Sequence, residues 1–167
     1  QGFPDFEVDK KLLSLAEKSM NNGNNQYAPM PGLISLREKI AEKINGLYNI
    51  SYDPVFEITI TSGATQAIFT AITAFVKEQD EVIIFTPAYD CYQPAVELAG
   101  GKPVFVQLKA PDYSVNWEEV KKLISQKTKM IIINTPHNPT GTILSRDDML
   151  ELEKITSESE IIVLSDE

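Results

Sequence analysis

Cysteine, histidine and tryptophan each occur once in the 167 residues, as Cys91, His137 and Trp117. A lone cysteine excludes a disulfide within the chain and suits a reducing compartment, so a cytoplasmic location is expected. Positive charge is also short: 15 Lys and Arg stand against 24 Asp and Glu, for a formal net charge of −9. That balance argues against nucleic acid or an anionic membrane surface as the main partner. It leaves room for a small anionic ligand, which needs only a local site. Long apolar runs are missing too, since no stretch reaches the roughly 18 residues of a spanning helix. Internal repeats, low-complexity tracts and flexible linkers are absent, and no metal site is expected.

What is present is alternation. Short apolar runs rich in Ile and Val read as strands at Phe56–Thr61, Glu81–Phe85, Pro103–Leu108, Met130–Asn134 and Ile161–Ser165. Their near-continuous hydrophobicity suits strands covered on both faces. Helical patterns lie between them at Thr65–Lys77, Asp90–Ala99, Asn116–Ser125 and Ser145–Ser157, with Asn116 and Ser145 as N-caps. Upstream, Val8–Met20 and Leu33–Leu47 are amphipathic and joined by the loop NNGNNQYAPMPG. The order predicts an α/β fold of three layers, a mostly parallel sheet with helices on both faces. The chain opens at Gln1 and stops at Ser165-Asp166-Glu167, straight after a strand-like run, so it is expected to be a piece of a longer protein.

In open α/β sheets, ligands bind beyond the carboxyl ends of the strands. Four such ends carry polar or aromatic groups. Thr61-Ser62-Gly63-Ala64-Thr65-Gln66 opens a helix, either as a capped turn or as an anion cradle of free N–H groups. Its spacing matches neither a P-loop nor a dinucleotide fingerprint. Thr86-Pro87-Ala88-Tyr89-Asp90-Cys91-Tyr92 supplies Tyr89, which either packs on the next helix or forms the wall of a planar site, while Asp90 reads as a helix cap. Asn134–Gly141 reads NTPHNPTG; Asn138 is either a turn residue or an amide donor, and His137 lacks a Ser or Cys partner for base catalysis. Asp166 either caps a following helix or compensates a cation. Taken together, an anion cradle, an aromatic wall, an amide and a carboxylate complement a planar heteroaromatic phosphate with a protonatable ring nitrogen. Pyridoxal 5'-phosphate has that form.

The ordered stretches Gln1–Phe6 (QGFPDF), Asn25–Gly32 (NQYAPMPG), Ser62–Ala67 (SGATQA), Thr86–Tyr92 (TPAYDCY), Asn134–Gly141 (NTPHNPTG) and Ser165–Glu167 (SDE) resemble a fold-type I pyridoxal-phosphate-dependent aminotransferase of class I/II. The kynurenine/glutamine and methionine aminotransferase branch is the most similar. The resemblance implies an aspartate-aminotransferase-like large domain, incomplete here. Residues 1–8 would belong to the small domain or N-terminal arm and residues 9–167 to the large cofactor-binding domain. It implies that Gly63, Ala64 and Thr65 hold the cofactor phosphate, Tyr89 stacks on the ring and Asn138 bonds the phenolic oxygen and orients the substrate. Asp166 would pair with the ring nitrogen. Gly2 would approach the substrate through its backbone, and Tyr27 would reach the phosphate of a neighbouring subunit in a homodimer with shared sites. A cis Asn138-Pro139 bond is implied as well.

The implied reaction moves an amino group between an amino acid of methionine, glutamine, aromatic or kynurenine type and a 2-oxo acid. The family's cofactor-carrying lysine and carboxylate-binding arginine lie downstream of the SDE motif. Residues 1–167 alone are therefore expected to be inactive. Lys77, Lys102 and Lys129 lie near strand starts, at the wrong end of the sheet. Two other functions use the same groups: a carbon–sulfur β-lyase with the same cofactor, and a noncatalytic aminotransferase-like regulatory module.

Overall fold

A computed structural model describes residues 4–167. The chain divides into two compact units, Gln1–Ile60 and Thr61–Glu167.

The first unit holds α1 (Lys10–Asn21) and α2 (Ile34–Tyr48). The Asp9 side chain starts α1 by accepting the Lys11 N–H at 2.8 Å, which satisfies one of the orphan donors of a first turn. α1 buries no residue. α2 carries one buried charge, Arg37, whose Nη1 donates to the carbonyls of Pro54 at 2.7 Å and Val55 at 3.2 Å. These bonds tie the chain after α2 back onto the helix. Asn49 ends α2 in the left-handed region at φ 55°, where Asn is tolerated better than most residues. Gly32 stands at φ +95°, and a Cβ there would come within 2.4 Å of the Ile60 side chain, so only glycine fits.

The second unit is a sheet between helices. α3 (Ala64–Phe75) leads into β1 (Glu81–Thr86), α4 (Tyr92–Leu98), β2 (Lys102–Gln107), α5 (Trp117–Leu123), β3 (Thr128–Asn134), α6 (Arg146–Thr156) and β4 (Ile162–Asp166). The strands lie in the order β2-β1-β3-β4, and every pairing is parallel. Alternate residues of β1 and β3 face opposite ways, as the pleat requires. Val82, Ile84, Met130 and Ile132 pack with Ile68 and Ile72 of α3 and with Tyr92 and Val96 of α4. Ile83, Phe85, Ile131 and Ile133 pack with Trp117 and Val120 of α5 and Leu152 of α6. Both faces are therefore covered, which is why the central strands read as unbroken apolar runs. Each of these buried side chains contributes roughly 1.5–3 kcal/mol by leaving water.

The capping expectations at Asn116 and Ser145 hold, and Ser145 forms a reciprocal capping box with Asp148. Two expectations fail. Residues 56–61 form no strand: the Glu57 N–H turns back to the Asp53 carbonyl at 2.9 Å, and the Ile60 N–H bonds the Pro31 carbonyl at 2.9 Å. Apolar alternation reports which side chains seek burial, whereas a strand also needs a partner ladder. Asp90 does not cap α4. Cys91 occupies that position with helical backbone angles and no side-chain bond.

Candidate active site

The connection from β1 runs outward to β2, and the connection from β3 runs the opposite way to β4. The crevice between β1 and β3 is thus a topological switch point, where parallel sheets present their ligand sites. At its carboxyl end lies an open cleft of about 430 Å³, lined by Ala64, Thr65, Ile68, Tyr89, Asn134, Asn138, Asp166 and Glu167. Five candidates from the sequence, Ala64, Thr65, Tyr89, Asn138 and Asp166, are brought together there. Gly63 immediately precedes them. Tyr27 belongs to the first unit and is fully exposed. Gly2 lies outside the described residues.

The α3 end of the cleft is built by Gly63, the N-cap at φ 83°. A Cβ added there would meet nothing within 4 Å, so backbone angle rather than crowding calls for glycine. The Thr61 hydroxyl donates to the Gly63 carbonyl at 3.0 Å, and the Gln66 amide oxygen accepts the Ser62 N–H at 2.5 Å. These two bonds fix the loop. The first-turn N–H groups of Ala64 and Thr65 have no intrahelical acceptor, and the positive end of the α3 dipole adds to them. No acidic side chain sits in that turn to compete for them.

The opposite wall comes from the loops after β1 and β3. Tyr89, 37% exposed, meets Tyr92 edge to face with ring centroids 6.0 Å apart. Asn134, which the sequence reading left without a role, joins two parts of the site. Its Nδ2 donates to the Asp166 carbonyl at 2.8 Å, and its Oδ1 accepts the Asn138 N–H at 2.6 Å. The Thr135 N–H adds a second bond to the Asp166 carbonyl at 3.1 Å. Asn138 is exposed and followed by a cis bond to Pro139; Thr86-Pro87 and Thr135-Pro136 are also cis. Gly141, at φ 76°, turns the loop back toward α6.

His137 takes no part in the cleft. It is buried, its Nδ1 lies 2.8 Å from the Thr140 hydroxyl, and its N–H bonds the Thr142 carbonyl at 2.7 Å. Burial lowers its pKa, which favours the neutral ring. It braces the loop that presents Asn138.

Asp166 ends β4, partly buried, with its main chain held by Asn134 and Thr135. The Tyr92 hydroxyl donates to its Oδ2. Among the described residues, no ion pair reaches it. The nearby Cys91 thiol is pushed up in pKa, first by burial and then by the charges of Asp166 and Asp90, so it stays neutral. The cleft therefore offers main-chain donors at one end and a carboxyl group at the other, with an aromatic ring and a free amide between.

Lys77 and Lys129 lie together at the opposite, amino end of the sheet with Asp80, and Lys102 starts β2 there. None of these lysines lines the cleft.

The family model described as aminotransferase class I and II matches residues 1–167. The chain is similar to the methionine aminotransferase of Escherichia coli (44% identical, covering 100% of this chain and 43% of that protein). It is also similar to the aspartate aminotransferase of Pyrococcus abyssi (43% identical, covering 99% and 43%). The crystal structure of an Escherichia coli protein with methionine aminotransferase function superimposes with a TM-score of 0.97 at 44% identity, over 100% of this chain and 44% of that one. N-succinyldiaminopimelate aminotransferase from Mycobacterium tuberculosis gives 0.93 at 35% identity, over 99% and 44%. The chain spans somewhat less than half the length of these relatives.

Proposed function

The chain belongs to the class I and II aminotransferases, and from that premise we propose that the longer protein carrying it moves an amino group between an amino acid and a 2-oxo acid with pyridoxal 5'-phosphate. The observation that carries this reading is the single cleft in which Ala64, Thr65, Tyr89, Asn138 and Asp166 converge. Its donor set fits the cofactor. Free N–H groups at an α-helix start suit a phosphate, and a carboxylate at the far end suits a protonated ring nitrogen. The substrate is proposed to be of methionine, glutamine, aromatic or kynurenine type; the methionine aminotransferase relative supports the first of these.

Pyridoxal phosphate, when bound, supplies an aldehyde carrier for the amino group and a sink for electrons. The remaining roles belong to this chain. Ala64 and Thr65 would hold the phosphate through their N–H groups, with Gly63 setting the turn. Tyr89 would cover one ring face. Asn138 would donate its amide to the phenolic oxygen and help align the substrate. Asp166 would keep a proton on the ring nitrogen. Gly2 would meet the substrate through its backbone. Tyr27, fully exposed, would reach the phosphate site of a second copy in a homodimer. A cytoplasmic setting is proposed from the lone, half-buried Cys91.

The test uses the full-length protein loaded with pyridoxal phosphate and offered methionine with a 2-oxo acid. The expected result is one 2-oxo acid released per amino group transferred, with ping-pong kinetics. Pyruvate, ammonia and thiol from a cysteine conjugate, without amino transfer, would replace this reading by a β-lyase.

A further inference from the structure

We propose that Tyr92 is a positioning residue that holds the Asp166 carboxylate in place for a protonated ring nitrogen bound in the cleft. This rests on the reading that Asp166 faces the ring nitrogen. The two residues are 74 positions apart, yet the Tyr92 hydroxyl donates to Asp166 Oδ2. Tyr92 is only 3% exposed, wedged in the core with Ile68, Ile84 and Met130. A side chain packed this tightly holds its hydroxyl in one place. Asn134 and Thr135 fix only the Asp166 main chain. Among the described residues, Tyr92 alone bonds its carboxylate.

The bond has a chemical consequence beyond orientation. A donor on a carboxylate favours its charged form. When a protonated nitrogen shares that carboxylate, the same donor opposes transfer of the proton from nitrogen to oxygen. The neighbouring groups do not do this instead. Cys91 is a neutral thiol, and Asp90 carries the same sign as Asp166. The Tyr92 phenol remains protonated because burial, and after it the Asp166 hydrogen bond and charge, push its pKa far up. Tyr92 also touches Tyr89 edge to face, so one core residue supports both the carboxylate and the aromatic wall.

The experiment is 15N NMR of the full-length holoenzyme carrying pyridoxal phosphate labelled at the ring nitrogen, at one pH, for wild type, Tyr92→Phe and Asp166→Asn. Tyr92→Phe should move the ring resonance from the protonated toward the unprotonated position. It should also lower kcat about tenfold or more with little change in KM, the scale of one hydrogen bond to a charged group. A resonance that Asp166→Asn moves but Tyr92→Phe leaves in place overturns the role of Tyr92 alone. A resonance that Asp166→Asn also leaves in place overturns the assignment of Asp166, and the proposal with it. If Tyr92→Phe does not fold, Tyr92→4-aminophenylalanine, a weaker donor of the same shape, must move the resonance in the same direction; an unmoved resonance then overturns the proposal.

Discussion

The two ends of the parallel sheet both carry polar hollows, and they differ in what their polar groups face. At the amino end a hollow of about 300 Å³ is lined by Asp80, Ser125, Lys127, Lys129 and Glu160 among others. Hydroxyl and main-chain groups around it bond one another, while the charged ends of Lys127, Lys129 and Glu160 are held by no hydrogen bond or ion pair among the described residues. The Ser125 hydroxyl donates to Glu81 at 2.6 Å, the Ser125 N–H to the Thr128 hydroxyl at 2.9 Å, and the Lys77 N–H to Asp80 at 2.8 Å. At the carboxyl end, the cleft of about 430 Å³ aims main-chain donors, an amide and a carboxylate into open space. Its internal bonds, such as Asn134 to Asn138 and Tyr92 to Asp166, hold the presenting atoms from behind. Volume and polarity are similar at the two ends. The carboxyl end is marked instead by groups that are positioned yet still available, which is what preorganisation for a ligand requires.

The largest effect is expected at Asp166. If the full-length protein has the proposed activity, Asp166→Asn is expected to retain cofactor and lose about a thousandfold in kcat, a barrier increase of ~4 kcal/mol. Near-normal turnover would place the decisive carboxylate elsewhere. Next comes Ala64→Leu, which puts a bulky side chain at the free N–H groups. The cofactor dissociation constant should rise about 10–100-fold, the loss of roughly 1.5–3 kcal/mol of bonding to a charged phosphate. The matching change at the other end, at the exposed Gln126 that lines the amino-end hollow, Gln126→Leu, should leave that constant within about twofold, since a surface substitution away from a site costs within roughly 0.5 kcal/mol. Equal effects at the two ends, measured by equilibrium dialysis, would erase the distinction.

The smallest effect is expected at His137, behind the cleft. Its folded pKa lies below the ordinary value of about 6.5 because burial disfavours the charged ring. Above that value His137 is neutral in both folded and unfolded chains. As pH falls below it, the unfolded chain takes up the proton first, so stability declines toward the folded pKa. His137→Asn should flatten this acid-side decline in melting temperature and leave the pH–rate profile nearly unchanged. A kinetic pKa lost with His137 would make it a base.

Much of this was legible in sequence because it rests on local signals. Runs such as Val82–Phe85 and Met130–Ile133 marked strands covered on both faces. Asn116 and Ser145 marked helix starts. The parallel-sheet rule then directed attention to Tyr89, Asn138 and Asp166. What escaped depends on pairing across the chain. Residues 56–61 have the pattern of a strand, but pattern does not supply a ladder. Tyr92 sits three residues after Tyr89, yet its bond to Asp166 exists only once β4 lies beside β3. Asn134 reads as a strand terminus, and its two bonds become visible only with the β4 end and the Asn138 loop in place. The groups expected to touch the ligand could be named from motifs; those that hold them could not.

The most direct test of the central claim is an experimental structure of the full-length protein with pyridoxal phosphate bound. Phosphate oxygens are expected on the N–H groups of Ala64 and Thr65, the ring against Tyr89, and its nitrogen on the Asp166 carboxylate. A cofactor seated at the amino end of the sheet, or one whose ring nitrogen faces away from Asp166, would contradict the claim.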